Sequence, residues 1–143
     1  MSETQFATAV ETYRHALNEF LKGDPSSVLA LFSRRDDVTL ANPLGPARRG
    51  RAGVEEAAKA AAAHFKGGSS TFDEVSRHVT PELGYVLHVE RADVQMQDSD
   101  DTKRISLRVT TIFRPEEGAW KIVHRHADPI TAPRDITTIF DSS

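Results

Sequence analysis

The sequence predicts an α+β fold in which N-terminal helices pack on a strongly curved antiparallel sheet that encloses a pocket. Two observations carry this reading. The apolar period is helical up to about residue 65 and becomes two thereafter. The second half is cut by three turn-forming segments into long, β-rich runs. A length of 143 residues suits one domain and can bury a core without disulfides or a structural metal.

The first helix is predicted over roughly Glu3 to Lys22, because Phe6, Val10, Tyr13, Leu17, Phe20 and Leu21 recur at alternating spacings of four and three. Ser2 and Gln5 have the form of a capping box at its start, and Gly23 supplies a left-handed residue at its end. Asp24-Pro25 reads as the N-cap and first-turn proline of a short second helix carrying Val28, Leu29, Leu31 and Phe32, ending near Ser33. Val38 to Leu40 make a brief strand, and Asn42-Pro43-Leu44-Gly45-Pro46 must turn. A third helix is expected from about Gly53 to Phe65, with Gly67-Gly68 as its stop.

Strands follow near Thr71 to Val79, Tyr85 to Gln97, Lys103 to Arg114 and Ala119 to Ala127. The turns between them are Thr80 to Gly84, Asp98 to Asp101 and Pro115 to Gly118. In the second of these strands the apolar set is Tyr85, Leu87 and Val89, then Ala92, Val94 and Met96. That slip of one residue predicts a bulge near Glu90-Arg91.

Composition narrows the function classes. A formal charge of -3 gives no electrostatic footprint for nucleic acid. With no cysteine there is no disulfide framework, thiolate metal site or cysteine nucleophile. No basic stretch followed by an apolar run opens the chain, and no apolar run spans a membrane, so a cytoplasmic protein without a membrane partner is expected.

Gly23-Asp24 between the first helices, Asn42-Pro43-Leu44-Gly45 after the first strand, Gly50 before the third helix, and a final strand reading Trp120-Lys121-Ile122-Val123-His124-Arg125-His126 form an ordered set. Over nearly the whole chain this set resembles the SnoaL-like branch of the nuclear-transport-factor-like superfamily. The resemblance implies a single domain over 1–143, with about 129–143 as a C-terminal tail. It also implies a cone-shaped α+β barrel whose concave face holds a small-molecule cavity and whose outer sheet face often makes a homodimer.

Two kinds of relative imply different chemistry. By the pattern of the ketosteroid isomerases, Tyr13, Asn42 and Thr111 stand where those enzymes place a tyrosine, an aspartate base and a second acid. An amide cannot accept a proton from a carbon acid, and a threonine hydroxyl is a poorer donor to an oxyanion than a neutral carboxyl, so steroid-type isomerisation is not expected. The final strand is also similar to that of the calcium/calmodulin-dependent protein kinase association domain, an assembly module with an arginine-lined pocket for small carboxylates. On that pattern Arg91 falls on a pocket arginine, while two others meet Thr111 and Ala127; Arg125, on the face of Ala127, stands in for one of them.

The residues themselves leave choices open. Arg91 either offers two parallel hydrogen bonds to a ligand carboxylate or pairs with Glu90, Asp93 or a cross-strand acid. His124, His126 and Asp128 alternate along one strand face, expected to be that of Trp120 and Ile122, where histidines pack or pair at a subunit interface rather than hold a metal. Asp98, Asp100 and Asp101 lack the glycine and glutamate of a calcium loop and read as a hairpin tip. Arg48, Arg49 and Arg51 before the third helix read as a solvated cluster, the alternative being that they meet an anionic substrate at the pocket mouth.

The leading expectation is a protein that binds a small organic molecule bearing a carboxylate or other anionic group, with Arg91, Arg125, Tyr85 and Thr111 as ligand-binding residues and a second copy of itself as partner. The alternative is a cofactor-independent isomerase, cyclase or hydratase in which Tyr13 or His64 moves a proton and Asn42 orients the substrate. A third is a homo-oligomeric assembly module with no ligand. No metal and no cofactor is implied.

Overall fold

The computed structural model describes residues 2–141. Helix α1 spans Glu3–Phe20, α2 Ser26–Leu31 and α3 Arg51–Ala62; strands β1 to β6 span Thr39–Ala41, Arg48–Arg49, Phe65–Val79, Gly84–Met96, Thr102–Glu116 and Ala119–Asp128. A turn of 3₁₀-helix at Ile136–Ile139 follows. No helix among the described residues is long and apolar enough to cross a membrane.

Helix α1 begins as expected. The Ser2 hydroxyl accepts the Gln5 N–H at 3.1 Å and the Gln5 side chain accepts the Ser2 N–H at 2.8 Å. Gly23, at φ 95°, turns the chain out of the helix. Asp24 accepts the N–H of Ser26 at 2.9 Å in a turn that leads into α2, whose N-cap is Pro25 rather than Asp24. Phe6, Val10, Tyr13 and Leu17 are buried along one side of α1. Phe6 meets Phe113 and Trp120 edge to face, at centroid distances of 5.3 and 5.1 Å, in the main core.

The third helix differs from expectation at its end. It stops at Ala62, and Gly67 and Gly68 lie inside β3, which pairs with β4 from Phe65 onward. A Cβ on Gly68 would sit 2.8 Å from the Asp93 carbonyl oxygen, so this glycine permits close strand approach rather than ending a helix. The basic cluster is also more structured than a solvated loop. Arg48 and Arg49 form β2 against β1, Arg48 reaches Glu56 at 3.1 Å, and Arg51 donates to the Leu29 and Phe32 carbonyls at 2.7 and 3.1 Å. Arg51 thereby satisfies carbonyls at the end of α2.

The six strands form one curved sheet in the order β2-β1-β6-β5-β4-β3. Strand β1 runs parallel to β6 while β6, β5, β4 and β3 pair antiparallel, so the sheet is mixed, and it remains open between β2 and β3. The helices cover its concave side.

Two phase assignments are corrected. Strand β4 has no bulge at Glu90-Arg91; its pairing with β5 runs unbroken from Gly84 to Gln95, and Val86, His88, Glu90, Ala92 and Val94 all face inward and are buried. Tyr85, Leu87, Val89 and Arg91 face outward, and that apolar outer row was what imitated a second core face. The second correction is in β6. A register shift falls between Ile112 and Phe113, whose partners are His124 and Ile122, leaving Val123 as the extra residue. Trp120 and Ile122 point inward before the bulge, Arg125 and Ala127 after it, and His124 and His126 are turned to the outer face.

Candidate functional site

A cavity of about 170 Å³ opens between the helices and the sheet. Leu17 and Phe20 of α1, Leu21 at its end, Val28 and Phe32 at α2, and Ala58 and Ala61 of α3 form one side; Leu40, Ala92, Ile105 and Leu107 line the sheet side. Asn42, Pro43 and Leu44 stand at the mouth, where Leu44 is exposed. Among the described residues, Glu90 and Arg125 are the two ionisable members of a lining that is otherwise apolar but for Asn42.

The two charged side chains belong to one buried network. Arg125 donates through Nε to the Tyr13 hydroxyl at 2.7 Å and through Nη2 to Glu90 Oε2 at 3.3 Å. Thr111 donates to the same Tyr13 hydroxyl at 2.9 Å, and Ser70 donates to Glu90 Oε1 at 3.3 Å. The Nη1 end of the guanidinium has no hydrogen-bond partner among the described residues, and Arg125 lines the cavity. Burial pushes the Glu90 carboxyl above the usual carboxylate range, against the opposing pull of Arg125 and of the Ser70 hydroxyl.

The bulge at Val123 is what builds this site. Without the extra residue the strand phase that buries Trp120 and Ile122 would carry His124 inward and Arg125 out. Next to the network on β4 stands His88, fully buried, with Tyr13 and Phe72 against its ring at centroid distances of 6.2 and 5.0 Å. Neither ring nitrogen has a hydrogen-bond partner among the described residues. Burial, aided by the charges of Arg125 and Arg14, lowers its pKa to about 4, so it is neutral at neutral pH.

Of the residues singled out from the sequence, the structure brings Tyr13, Thr111 and Arg125 together and places Asn42 at the mouth. Tyr13 is sealed beneath Arg125 rather than open to the cavity, and Asn42 spends its carbonyl oxygen on the Leu44 N–H at 3.0 Å. Arg91 is corrected: it lies on the outer face, partly exposed, paired with Asp73 across the strand. Tyr85 is on that same outer face, and His64 is exposed after α3. Neither reaches the cavity. His124 bonds Thr39 Oγ1 through Nδ1 at 2.7 Å, and His126 lies 3.3 Å from Asp128.

Glu90 and His88 were not singled out as site residues. The signal was present: they share the parity of Val86, Ala92 and Val94, two polar residues within the buried row of β4.

A family model described as a SnoaL-like domain matches residues 10–132. Among solved structures, a nuclear transport factor 2-like superfamily protein from Salmonella enterica superposes with a TM-score of 0.79 at 16% identity, covering 96% of either chain. A candidate scytalone dehydratase from Novosphingobium aromaticivorans gives 0.73 at 15% identity over 92% of this chain and 94% of the other. A candidate calcium/calmodulin-dependent protein kinase type II association domain from Thiobacillus denitrificans gives 0.70 at 19% identity over 86% and 93%. These likenesses establish the fold. No curated protein matches the chain.

Proposed function

The chain belongs to the SnoaL-like family, and from that premise we propose that it binds a small organic molecule, one ring bearing a carboxylate, in the cavity above Arg125. The observation that carries this is the unpartnered Nη1 of a guanidinium fixed on its other sides by Tyr13 and Glu90. A rigidly held guanidinium in an apolar enclosure is suited to a carboxylate or carbonyl oxygen. The size fits one ring: an apolar cavity of about 150 Å³ accepts benzene, and this one is about 170 Å³.

A thermal-shift screen of ring carboxylates against uncharged ring analogues tests the reading. A ligand at about one hundred times its dissociation constant adds roughly 2.7 kcal/mol, which raises the melting temperature by a few degrees for a domain of this size. The carboxylates are expected to stabilise wild type and not Arg125→Met, while Arg91→Ala responds like wild type. Equal shifts in wild type and Arg125→Met would remove the anion clamp.

A second reading is favoured by Glu90. A buried carboxyl whose pKa is raised, beside a fixed guanidinium, is the kind of group that can carry a proton to or from a substrate. A dehydratase-like activity, after the name of the Novosphingobium relative, is consistent with that. It would show as turnover lost in Glu90→Gln with binding retained.

The partner is inferred to be a second copy of the chain, meeting the outer sheet face. Leu87, Val89 and Ile112 lie there part-buried beside the exposed Tyr85, an apolar band that a lone sheet face does not need.

A further inference from the structure

Among the described residues the cavity lining contains one basic and one acidic side chain, and they are already in contact: Arg125 Nη2 lies 3.3 Å from Glu90 Oε2. We propose that a carboxylate ligand enters this cavity together with a proton, which Glu90 takes up as the ligand's carboxylate settles on the unpartnered Nη1 of the same guanidinium. The inference rests on the carboxylate reading above and deepens it.

The reasoning is charge balance in a place with little water. While Glu90 is ionised, it and Arg125 sum to zero. A second carboxylate on the same guanidinium would leave a net negative charge among apolar side chains, which is costly without a further partner. One proton on a Glu90 oxygen restores neutrality: the ligand anion faces Arg125, and the Glu90 carboxyl becomes a neutral acid that can still donate one hydrogen bond.

The surroundings supply no other remedy. From α1, Tyr13 contributes an uncharged hydroxyl, and the charge of Arg14 is answered by Glu11 and Glu74 at 3.0 and 3.1 Å. From β3, Ser70 faces Glu90, and Glu74 is spent on Arg14 and Arg77. On β4 itself His88 is neutral, since its buried ring resists protonation. From β5, Leu107 stands opposite Glu90 and Thr111 meets Tyr13, neither with a charge. Among the described residues, Arg125 from β6 is the sole cation in contact. Burial has already made the Glu90 proton easier to hold than that of an exposed glutamate.

Calorimetric titration of benzoate tests this, in phosphate and in Tris, between about pH 6 and about pH 8, with benzyl alcohol as the uncharged control. The difference in binding enthalpy between the two buffers counts the protons exchanged. For wild type we expect uptake approaching one proton per benzoate at the upper end of the range, and affinity falling towards tenfold per pH unit there. Benzyl alcohol should bind without uptake.

Glu90→Gln imitates the protonated acid, so it should bind benzoate with no uptake and more tightly than wild type at pH 8. Benzoate binding to wild type with no uptake at any pH would overturn the inference and leave the carboxylate reading standing. Uptake that persists in Glu90→Gln would overturn it too, by placing the proton elsewhere. Benzoate that binds at no pH, with or without binding of benzyl alcohol, would remove the carboxylate reading and the inference together. Should Glu90→Gln not fold, the two-buffer comparison on wild type decides alone.

Discussion

Glu90 and His88 sit two residues apart on the inward face of β4, and burial shifts both towards their neutral forms. Their effects on stability run in opposite senses. His88 has a folded pKa of about 4 against an ordinary value of 6.5. Between those values the unfolded chain binds more protons than the folded one, so the His88 contribution falls as pH drops from about 6.5 to about 4. Glu90 has a raised folded pKa, so the folded chain holds its proton longer and that contribution falls as pH rises above the ordinary glutamate value. His88→Phe keeps a ring between Tyr13 and Phe72 and removes two unpartnered buried nitrogens. Urea unfolding of wild type and His88→Phe at pH 7 and pH 5 separates the two residues. The variant should gain about 2 kcal/mol on wild type over that interval, from a pKa displacement of this size. An unchanged difference between the proteins at the two pH values would show that His88 is solvated.

At the scale of elements, the periodicity of apolar residues was sufficient for α1, α2 and the strands β4, β5 and β6, each of which buries a row of residues on one side, whereas β3 buries none fully and begins at Phe65 rather than Thr71, where α3 was expected to end. It failed where both faces of a strand are partly apolar. Tyr85, Leu87 and Val89 on the outer face of β4 were indistinguishable from a core row, so a bulge was expected on the wrong strand and the polar pair within the true row went unnoticed. In β6 the shift from Ile122 to Ala127, even to odd, was the trace of the real bulge, masked by the even row Trp120, Ile122, His124 and His126. Arg125, which lines the cavity, and Arg91, which does not, were not separable in the sequence, since a charge on a strand carries no sign of its face. The bulge makes its own prediction. Deleting Val123 must turn either Trp120 and Ile122 or Arg125 and Ala127 outward, and losing a large core residue costs about 3 kcal/mol or more. Denaturant unfolding should show that loss; a deletion variant of wild-type stability would mean that the strand absorbs the change without rephasing.

For the whole molecule, the two faces of the sheet differ in what they present. The concave face, under the helices, holds the cavity with Arg125 and Glu90, and the outer face presents Tyr85, Leu87, Val89 and Ile112 beside His124 and His126. If the outer band pairs two copies, Leu87→Glu should convert a dimer to a monomer in sedimentation velocity while leaving the cavity able to bind; a wild-type monomer at micromolar concentration would contradict the pairing. The central claim is the anion clamp inside the cavity. The most direct test is a crystal structure of the complex with the ring carboxylate that stabilises the protein most. The account predicts carboxylate oxygens about 3 Å from Arg125 Nη1, with the ring against Leu17, Phe32 and Leu107. A carboxylate seated on Arg91 at the outer face, with the cavity unchanged, would contradict it.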